Sequence, residues 1–472
     1  MLVPRCASRK RVLAIRAGSE AGRTQTIKLG NGLSGFNNNI RLLAFSILGG
    51  AWDKHALTDR IQRALAGGPP DPRRLAARLI FHFDEGRPPS RKRLISFLKA
   101  DDELRQRYHE QDREQRPVIL LDSPVMGRPL ENLLTLPLPP LSNVKDLQQW
   151  LGLFDHELTW FADIERRQCK VKETRLHHYR YHWIEKRSGP PRLIEIPKTR
   201  LKMLQRQILR EILNRVPPHP CAKGFVRGRS IKQFAEPHAD KAVILRMDLK
   251  DFFHTVPYNR IGALFRRLGY PWSVAQLLQG LCTHACSPSL SGETFRTLPW
   301  ALQKRLKDKH LPQGAPTSPA LANLVAFRFD CRLQGLANRF SLDYTRYADD
   351  IAFSGNRELL RLAPFLQGLI GAIAIEEGFE INHRKTRLRT QAQSQRLAGM
   401  VVNRKPNLPR EEFDRLKAIL HNCVRWGPES QNRGGVDDFK AHLGGQVTYA
   451  VWLNPEKGKR LRHLWKRIQW LE

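Results

Sequence analysis

The chain has 472 residues, 41% hydrophobic and 26% charged, which is enough length for two or three domains and enough apolar content for a sizeable core. Its 80 Lys and Arg against 45 Asp and Glu leave a formal charge of +35, an excess that points to a polyanionic partner, nucleic acid first and an anionic membrane surface second. No run reaches the ~18 apolar residues of a spanning helix and no lysine cluster flanks one, so the expectation is a protein with no membrane partner. The seven dispersed cysteines exclude a disulfide scaffold and read as reduced thiols in the cytoplasm.

Residues 1–30 are basic and aperiodic, with Arg5, Arg9, Lys10, Arg11 and Arg16, and are expected to form a disordered tail; they lack the apolar core of a secretory signal. Residues 31–116 carry helical spacing, as in Ile40, Leu43, Ile47 and Leu57, Ile61, Leu65, and predict a small helical domain. A Pro/Leu-rich stretch over 117–142 reads as a linker. Leu147–Leu153 and Leu158–Ala162 predict two short amphipathic helices. Cys282-Thr283-His284-Ala285-Cys286 holds metal-capable residue types, but no second pair at zinc-finger spacing accompanies it, so helical packing is the reading there.

The chemistry concentrates downstream. The apolar run Ala242–Met247 ends in Asp248, as a buried strand delivering a carboxylate would. Leu311-Pro312-Gln313-Gly314-Ala315-Pro316-Thr317-Ser318-Pro319 is a loop opening onto an apolar helix. Tyr347-Ala348-Asp349-Asp350 then sets adjacent carboxylates between apolar runs, an expensive placement unless something cationic binds them. A hairpin turn at Ala348-Asp349 would present Asp349 to a site and leave Asp350 facing away beside it. Two strands giving carboxylates to one place suit Mg²⁺ and two-metal phosphoryl transfer. As an isolated motif, an acidic surface turn would explain the pair equally well.

Seven blocks in order resemble the motifs of reverse transcriptases of the bacterial retron and retron-like branch. They are Arg192–Lys198 with the helix from Leu201, Gly224–Ile231, the Asp248 motif, the Gln313-Gly314 loop, the Tyr347–Asp350 turn, Glu377–Thr386 and Leu397–Asn403. The resemblance spans roughly 143–472. It implies an α+β right-hand polymerase, with fingers and palm over 143–403, an antiparallel palm sheet and a basic helical thumb over 404–472. It implies Asp248, Asp349 and Asp350 as metal-site residues for two Mg²⁺ ions, with Mn²⁺ a substitute, and Lys385 as the proton donor to pyrophosphate. Asp251, which could instead cap a following helix, lies by resemblance near the incoming triphosphate, with Arg192 binding it and Lys186 or Arg187 assisting. Phe253 becomes the gate against a ribose 2′-hydroxyl, with Gln313 and Gly314 under the nascent base pair. Arg227 and Arg229 would touch template phosphates, and Arg460, Arg462 and Lys466 the duplex, with Trp452, Trp465 and Trp470 interleaved.

The implied activity is RNA-directed DNA synthesis from dNTPs on a structured non-coding RNA, giving an RNA–DNA hybrid, in antiphage defence and with an effector protein encoded nearby as a further partner. The sequence departs from the branch at Phe234-Ala235-Glu236-Pro237-His238, where Asn is usual at the first position, and at Leu397-Ala398-Gly399, where Val-Thr-Gly is usual. Residues 234–238 and the thumb are expected to read the RNA. A template-independent polymerase would use the same aspartates, and an RNA-binding protein on a dead polymerase fold commonly lacks one of them. A group II intron maturase is disfavoured by the absence of an HNH-type tail.

Overall fold

The computed structural model describes residues 25–26, 33–49, 52–65, 70–84, 88–107, 119–120, 136–171, 173–186, 189–286 and 292–470. The chain divides into two compact units, Met1–Gly127 and Arg128–Glu472.

The first unit contains β1 (Gln25–Thr26), α1 (Leu33–Leu48), α2 (Lys54–Leu65), α3 (Pro72–Phe83), α4 (Arg91–Ala100), α5 (Asp102–Arg107) and β2 (Ile119–Leu120). Leu43, Ile47, Leu57, Ile61, Leu75, Leu79, Leu94 and Leu98 are fully buried, and their three- and four-residue spacing turns one stripe of each helix inward. Helix α3 starts where the Asp71 side chain accepts from the Arg73 N–H, with Pro72 in the first turn, where a missing N–H costs nothing. Buried Arg60 donates to the Ile47 carbonyl at 3.0 and 3.2 Å, satisfying the C-terminal end of α1. Two expectations change at the margins. Gln25–Thr26, assigned to a disordered tail, pairs antiparallel with Ile119–Leu120, assigned to the linker, so that backbone groups of both are satisfied. The other residues of 1–30, and 121–135 of the linker, lie outside the described residues.

The second unit opens with α6 (Val144–Leu151) and α7 (Asp155–Ala162), then the hairpin β3 (Tyr179–Ile184) and β4 (Arg192–Pro197), and α8 (Thr199–Glu211). There follow α9 (Ile231–Ala235), β5 (Val243–Asp248), α10 (Tyr258–Arg267), α11 (Trp272–Cys282), α12 (Glu293–Arg296), α13 (Trp300–Lys307), α14 (Ser318–Val325) and α15 (Phe327–Arg339). The chain then forms β6 (Asp343–Tyr347), β7 (Asp350–Gly355), α16 (Leu359–Glu376), β8 (Arg387–Thr390), β9 (Arg396–Leu397) and β10 (Met400–Val401). It ends in α17 (Arg410–Trp426), α18 (Phe439–Leu453) and α19 (Pro455–Lys466). The organising element is an antiparallel four-stranded sheet in the order β6-β7-β5-β8. Strand β5 is central, and its near-continuous burial explains why Val243, Ile244, Leu245 and Met247 are apolar at both odd and even positions, with the half-buried Arg246 the exception.

One part of the membrane expectation changes: helix α16, 18 residues long with a mean hydropathy of 1.5, is by length and composition apolar enough to cross a membrane. Leu359, Ala363, Leu366, Ile370 and Ala374 form a buried stripe at helical spacing, as in a helix laid against a core. The last three helices build their own cluster from Leu416, Leu420, Cys423, Leu443, Val447, Ala450 and Leu461.

Candidate active site

Asp248 ends β5 directly opposite Asp350, the first residue of β7, so the two side chains share a face of the sheet. Tyr347 pairs with Asp350, leaving Ala348 and Asp349 as a two-residue turn. Ala348 takes φ +57°, the sign a type II′ hairpin requires at its first turn residue. The Leu249 N–H donates to the Asp349 carbonyl at 2.9 Å, locking the turn against the end of β5. Three carboxylates therefore meet at one end of the sheet.

Each is balanced differently. Lys385, in a single 3₁₀ turn, places Nζ 3.0 and 3.1 Å from the two Asp248 oxygens, and Asn382 Nδ2 donates to Asp248 at 3.2 Å. Asp350 does not face away from Asp248. Both its oxygens accept from Arg246, at 2.7 to 3.0 Å, because Arg246 lies two residues before Asp248 on the same side of β5. Asp349 has no such clasp; burial, then the charges of Asp248 and Asp350, push its carboxyl up to about 6. An all-oxygen set with one uncompensated buried carboxylate fits a hard divalent cation.

The support beneath the turn was not anticipated from sequence. Arg346, fully buried, donates to both oxygens of the fully buried Asp330 at 2.6 and 2.7 Å. It also donates to Asn323 Oδ1 at 3.0 Å and to the Ala348 carbonyl at 2.9 Å. Asn323 in turn holds the Gly224 carbonyl at 2.8 Å, and a Cβ on Gly224 would lie 2.6 Å from the Ala348 nitrogen, so only glycine fits there. Asp330 hides in the apolar stripe of α15, where a lone acid was the available signal.

Lys186 has its affinity for a proton lowered by burial and then by Arg192, with Asp251, Lys385 and Asp248 also acting on it. Arg187 lies outside the described residues. Asp251 caps no helix: a run of turns follows it, its φ is +48°, and Arg305 donates to it at 3.3 Å. Phe253 is half-buried, its ring 5.9 Å from Phe225, which lies 6.4 Å from Tyr347. Gln313 and Gly314 are pinned to β4. The Glu195 N–H donates to the Gln313 carbonyl at 2.8 Å, and Gly314, at φ +131°, admits the Glu195 carbonyl where a Cβ would collide at 2.8 Å.

Arg227, Arg229, Arg460, Arg462 and Lys466 are all exposed. Two expected surfaces are not. Phe234 and His238 are fully buried: the Phe234 ring packs among Ala352, Leu397 and Met400, and His238 bridges the Ser354 and Thr345 hydroxyls at 2.7 Å each. Of the 234–238 stretch, Phe234, Ala235 and His238 are buried and so not available to RNA, whereas Glu236 is exposed. Trp465 and Trp470 pack against the α17–α19 cluster and each other, at 6.2 Å, and serve that core. Trp452 is 41% exposed beneath the Lys232 ammonium, and Trp426, 66% exposed, was missed.

A reverse transcriptase (RNA-dependent DNA polymerase) family model matches residues 184–402. The chain is 42% identical over 289 residues to the retron Mx65 reverse transcriptase of Myxococcus xanthus, covering 61% of this chain and 64% of that one. It is 33% identical to the retron Mx162 reverse transcriptase of the same organism, covering 68% and 66%. Both matches take in just under two thirds of the relative's length. With the retron Ec86 reverse transcriptase of Escherichia coli it shares 31% identity over 293 residues, 60% of this chain and 83% of that one. On these matches the chain belongs to the retron reverse transcriptases.

Proposed function

We infer that the chain is an RNA-directed DNA polymerase that adds deoxynucleotides to a 3′-hydroxyl. The observation that carries this reading is the meeting of Asp248 and Asp349 at one end of the sheet, with Asp349 pushed up to about 6 by burial and by its carboxylate neighbours. Asp248 and Asp349 would hold two Mg²⁺ ions, which activate the attacking hydroxyl and offset charge on the leaving pyrophosphate, and Mn²⁺ could replace them. Asp350, engaged by Arg246, keeps a third negative charge nearby without offering a free oxygen pair.

The remaining roles are those the family resemblance implies. Lys385 Nζ lies beside Asp248 and is exposed enough to act as the proton donor to pyrophosphate. Arg192 and Lys186 supply cations for the triphosphate, near the Asp251 backbone. Phe253 bounds the sugar, and the Gln313-Gly314 loop, held by Glu195, forms a floor under the base pair. In this reading residues 143–403 are fingers and palm and 404–472 the thumb, with 31–116 an added helical domain. Arg227 and Arg229 hold template, and Arg460, Arg462 and Lys466 the RNA–DNA hybrid. A structured non-coding RNA copied in antiphage defence is the proposed template, with an effector protein encoded nearby as a further partner.

Replacing Asp248 or Asp349 by Asn tests this directly. Mg²⁺-dependent incorporation should fall at least about 10²-fold, the scale on which losing one charge-stabilising group acts, with RNA binding kept. Robust synthesis by either variant removes the assignment.

A further inference from the structure

Among the described residues, the one grouping of three His, Cys, Asp or Glu ligand atoms close enough to share an ion is Glu195, Cys286 and His310, all buried. It is separate from the aspartates. His310 Nε2 lies 3.0 and 3.2 Å from the two Glu195 oxygens, and Cys286 Sγ 3.4 Å from one of them. A fourth group faces the same carboxylate: His254 Nε2 is 3.7 Å from Glu195 Oε2, its side chain is 7% exposed, and that nitrogen has no hydrogen-bond partner.

The tautomer of His310 makes this arrangement unusual. Its Nδ1 lies 2.7 Å from the Asp308 carbonyl, which can only accept, so Nδ1 carries the hydrogen. Nε2 then aims a lone pair at a carboxylate unless a cation stands between them, either a second proton or a metal. A histidine whose far nitrogen is held by a backbone carbonyl is the usual partner arrangement of a metal-bound imidazole.

With Zn–N and Zn–O bonds of about 2.0–2.2 Å and Zn–S of about 2.3 Å, the edges of a tetrahedron are about 3.3 Å between N and O and about 3.5 Å between S and O. Cys286 Sγ stands near such an edge from Glu195 Oε1, His310 Nε2 is closer to both oxygens than one edge, and His254 Nε2 approaches the other oxygen, Oε2, at 3.7 Å, so small shifts of these side chains would be needed to seat an ion. The frame is rigid: His284 and His310 exchange backbone hydrogen bonds at 2.9 and 3.0 Å, and the Cys286 N–H donates to the Leu306 carbonyl at 2.9 Å.

We propose that Glu195, Cys286 and His310, whose ligand atoms lie within 4.8 Å of one another, hold a buried structural zinc, with the unpartnered His254 Nε2 beside Glu195 turning in as the fourth ligand. A buried mixed thiolate, imidazole and carboxylate set is chemistry that suits Zn²⁺ rather than Mg²⁺. On loading, the Cys286 thiol releases its proton, and the ion takes the place of any second proton on His310. The site joins four segments that bear on nucleotide handling: Glu195 follows Arg192 by three residues, His254 follows Phe253, His310 precedes Gln313 by three, and Cys286 closes the segment after α11. Zinc would therefore staple these segments together, acting on stability and not on the reacting atoms.

The full chain, expressed in zinc-supplemented medium and purified without chelator, should carry about one zinc per chain by elemental analysis. Exchange into Co²⁺ should give the intense visible bands of a tetrahedral site together with a thiolate-to-cobalt charge-transfer band. Cys286→Ser should remove the charge-transfer band, and His310→Ala should remove the metal. Substoichiometric zinc after zinc loading, with no cobalt spectrum in the unsubstituted protein, would overturn the proposal and leave a proton on His310 as the cation. The unsubstituted protein decides the matter even where a variant fails to fold. No polymerase assay enters, so this site and the aspartate assignment stand or fall separately.

Discussion

Two buried carboxylates of the second unit, Asp349 and Glu195, are treated in opposite ways. Burial pushes the Asp349 carboxyl up, and Asp248 and Asp350 push it further, to about 6. Burial also pushes the Glu195 carboxyl up, but His310, His254 and His284 outweigh it and hold Glu195 well below the ordinary carboxylate range. The difference lies in the neighbours, not in depth. Glu195 receives its positive charge from within the chain, or from an ion the chain encloses, and so reads as structural. Asp349 is left in deficit, and a site in deficit of positive charge is one that binds cations from outside.

The sharpest way to break this contrast is to neutralise each carboxylate in turn and measure unfolding by urea. Glu195→Gln strands the charge that faces it in a dry interior, and should cost about 3–5 kcal/mol. Asp349→Asn should do the reverse in metal-free protein. A carboxyl whose folded value lies above its unfolded one destabilises the fold once pH exceeds both, so at pH 7 its removal should add up to about 3 kcal/mol. The same sign for both variants would end the comparison.

Arg346 and Asp330 extend it to a pair sealed completely from water. Arg346→Met leaves Asp330 charged and buried and should cost about 3–5 kcal/mol, while Arg346→Met with Asp330→Leu should recover much of that loss. Nucleotide incorporation should fall in both, because the Ala348 carbonyl loses its donor. Recovery of stability without recovery of activity would mark Arg346 as a positioning residue for the turn.

How far the sequence went can be judged from the same residues. Asp248 was legible because a central strand is apolar on both faces, so the carboxylate ending it stands out, and the Tyr347–Asp350 turn was legible because acids between apolar runs need a reason. Arg246 was not, since its grip on Asp350 depends on a register between strands 104 residues apart. Glu195, His254, Cys286 and His310 meet only in the fold, and the Cys282–Cys286 pattern that hinted at a metal offered one residue of the four. Phe234 and His238 failed in the other direction. The family's use of these stretches suggested an RNA contact, whereas Phe234 fills space in one core with Leu397, which belongs to the other departing stretch.

His238 supplies a control, a buried titratable group with hydroxyl partners and no paired charge. Burial pulls it down to about 4, below the ordinary 6.5, so the folded state holds it neutral. Its contribution is complete above about pH 6.5 and lost as pH falls toward 4, amounting to about 3 kcal/mol. His238→Gln should flatten that part of the acid limb of stability against pH. An unchanged limb would assign the loss to His178 or His284, which burial likewise pulls down to about 4 and about 3.

The smallest effect is expected at the sugar. Phe253 directly precedes His254 in the chain, and its ring packs at 5.9 Å from Phe225 and 5.7 Å from Phe252. Phe253→Ala opens space beside the ribose without touching an aspartate, and the discrimination available from apolar packing alone is about tenfold. Incorporation of ribonucleotides relative to deoxynucleotides should rise by roughly that factor, with the deoxynucleotide rate held to within a few-fold. Glu195→Gln, which removes the charge facing the neighbouring His254, should move the ratio the same way by less. A ratio unmoved in Phe253→Ala would make the ring core packing. A ratio that moved more in Glu195→Gln would mean that the Glu195 cluster, and not the ring, sets the choice of sugar.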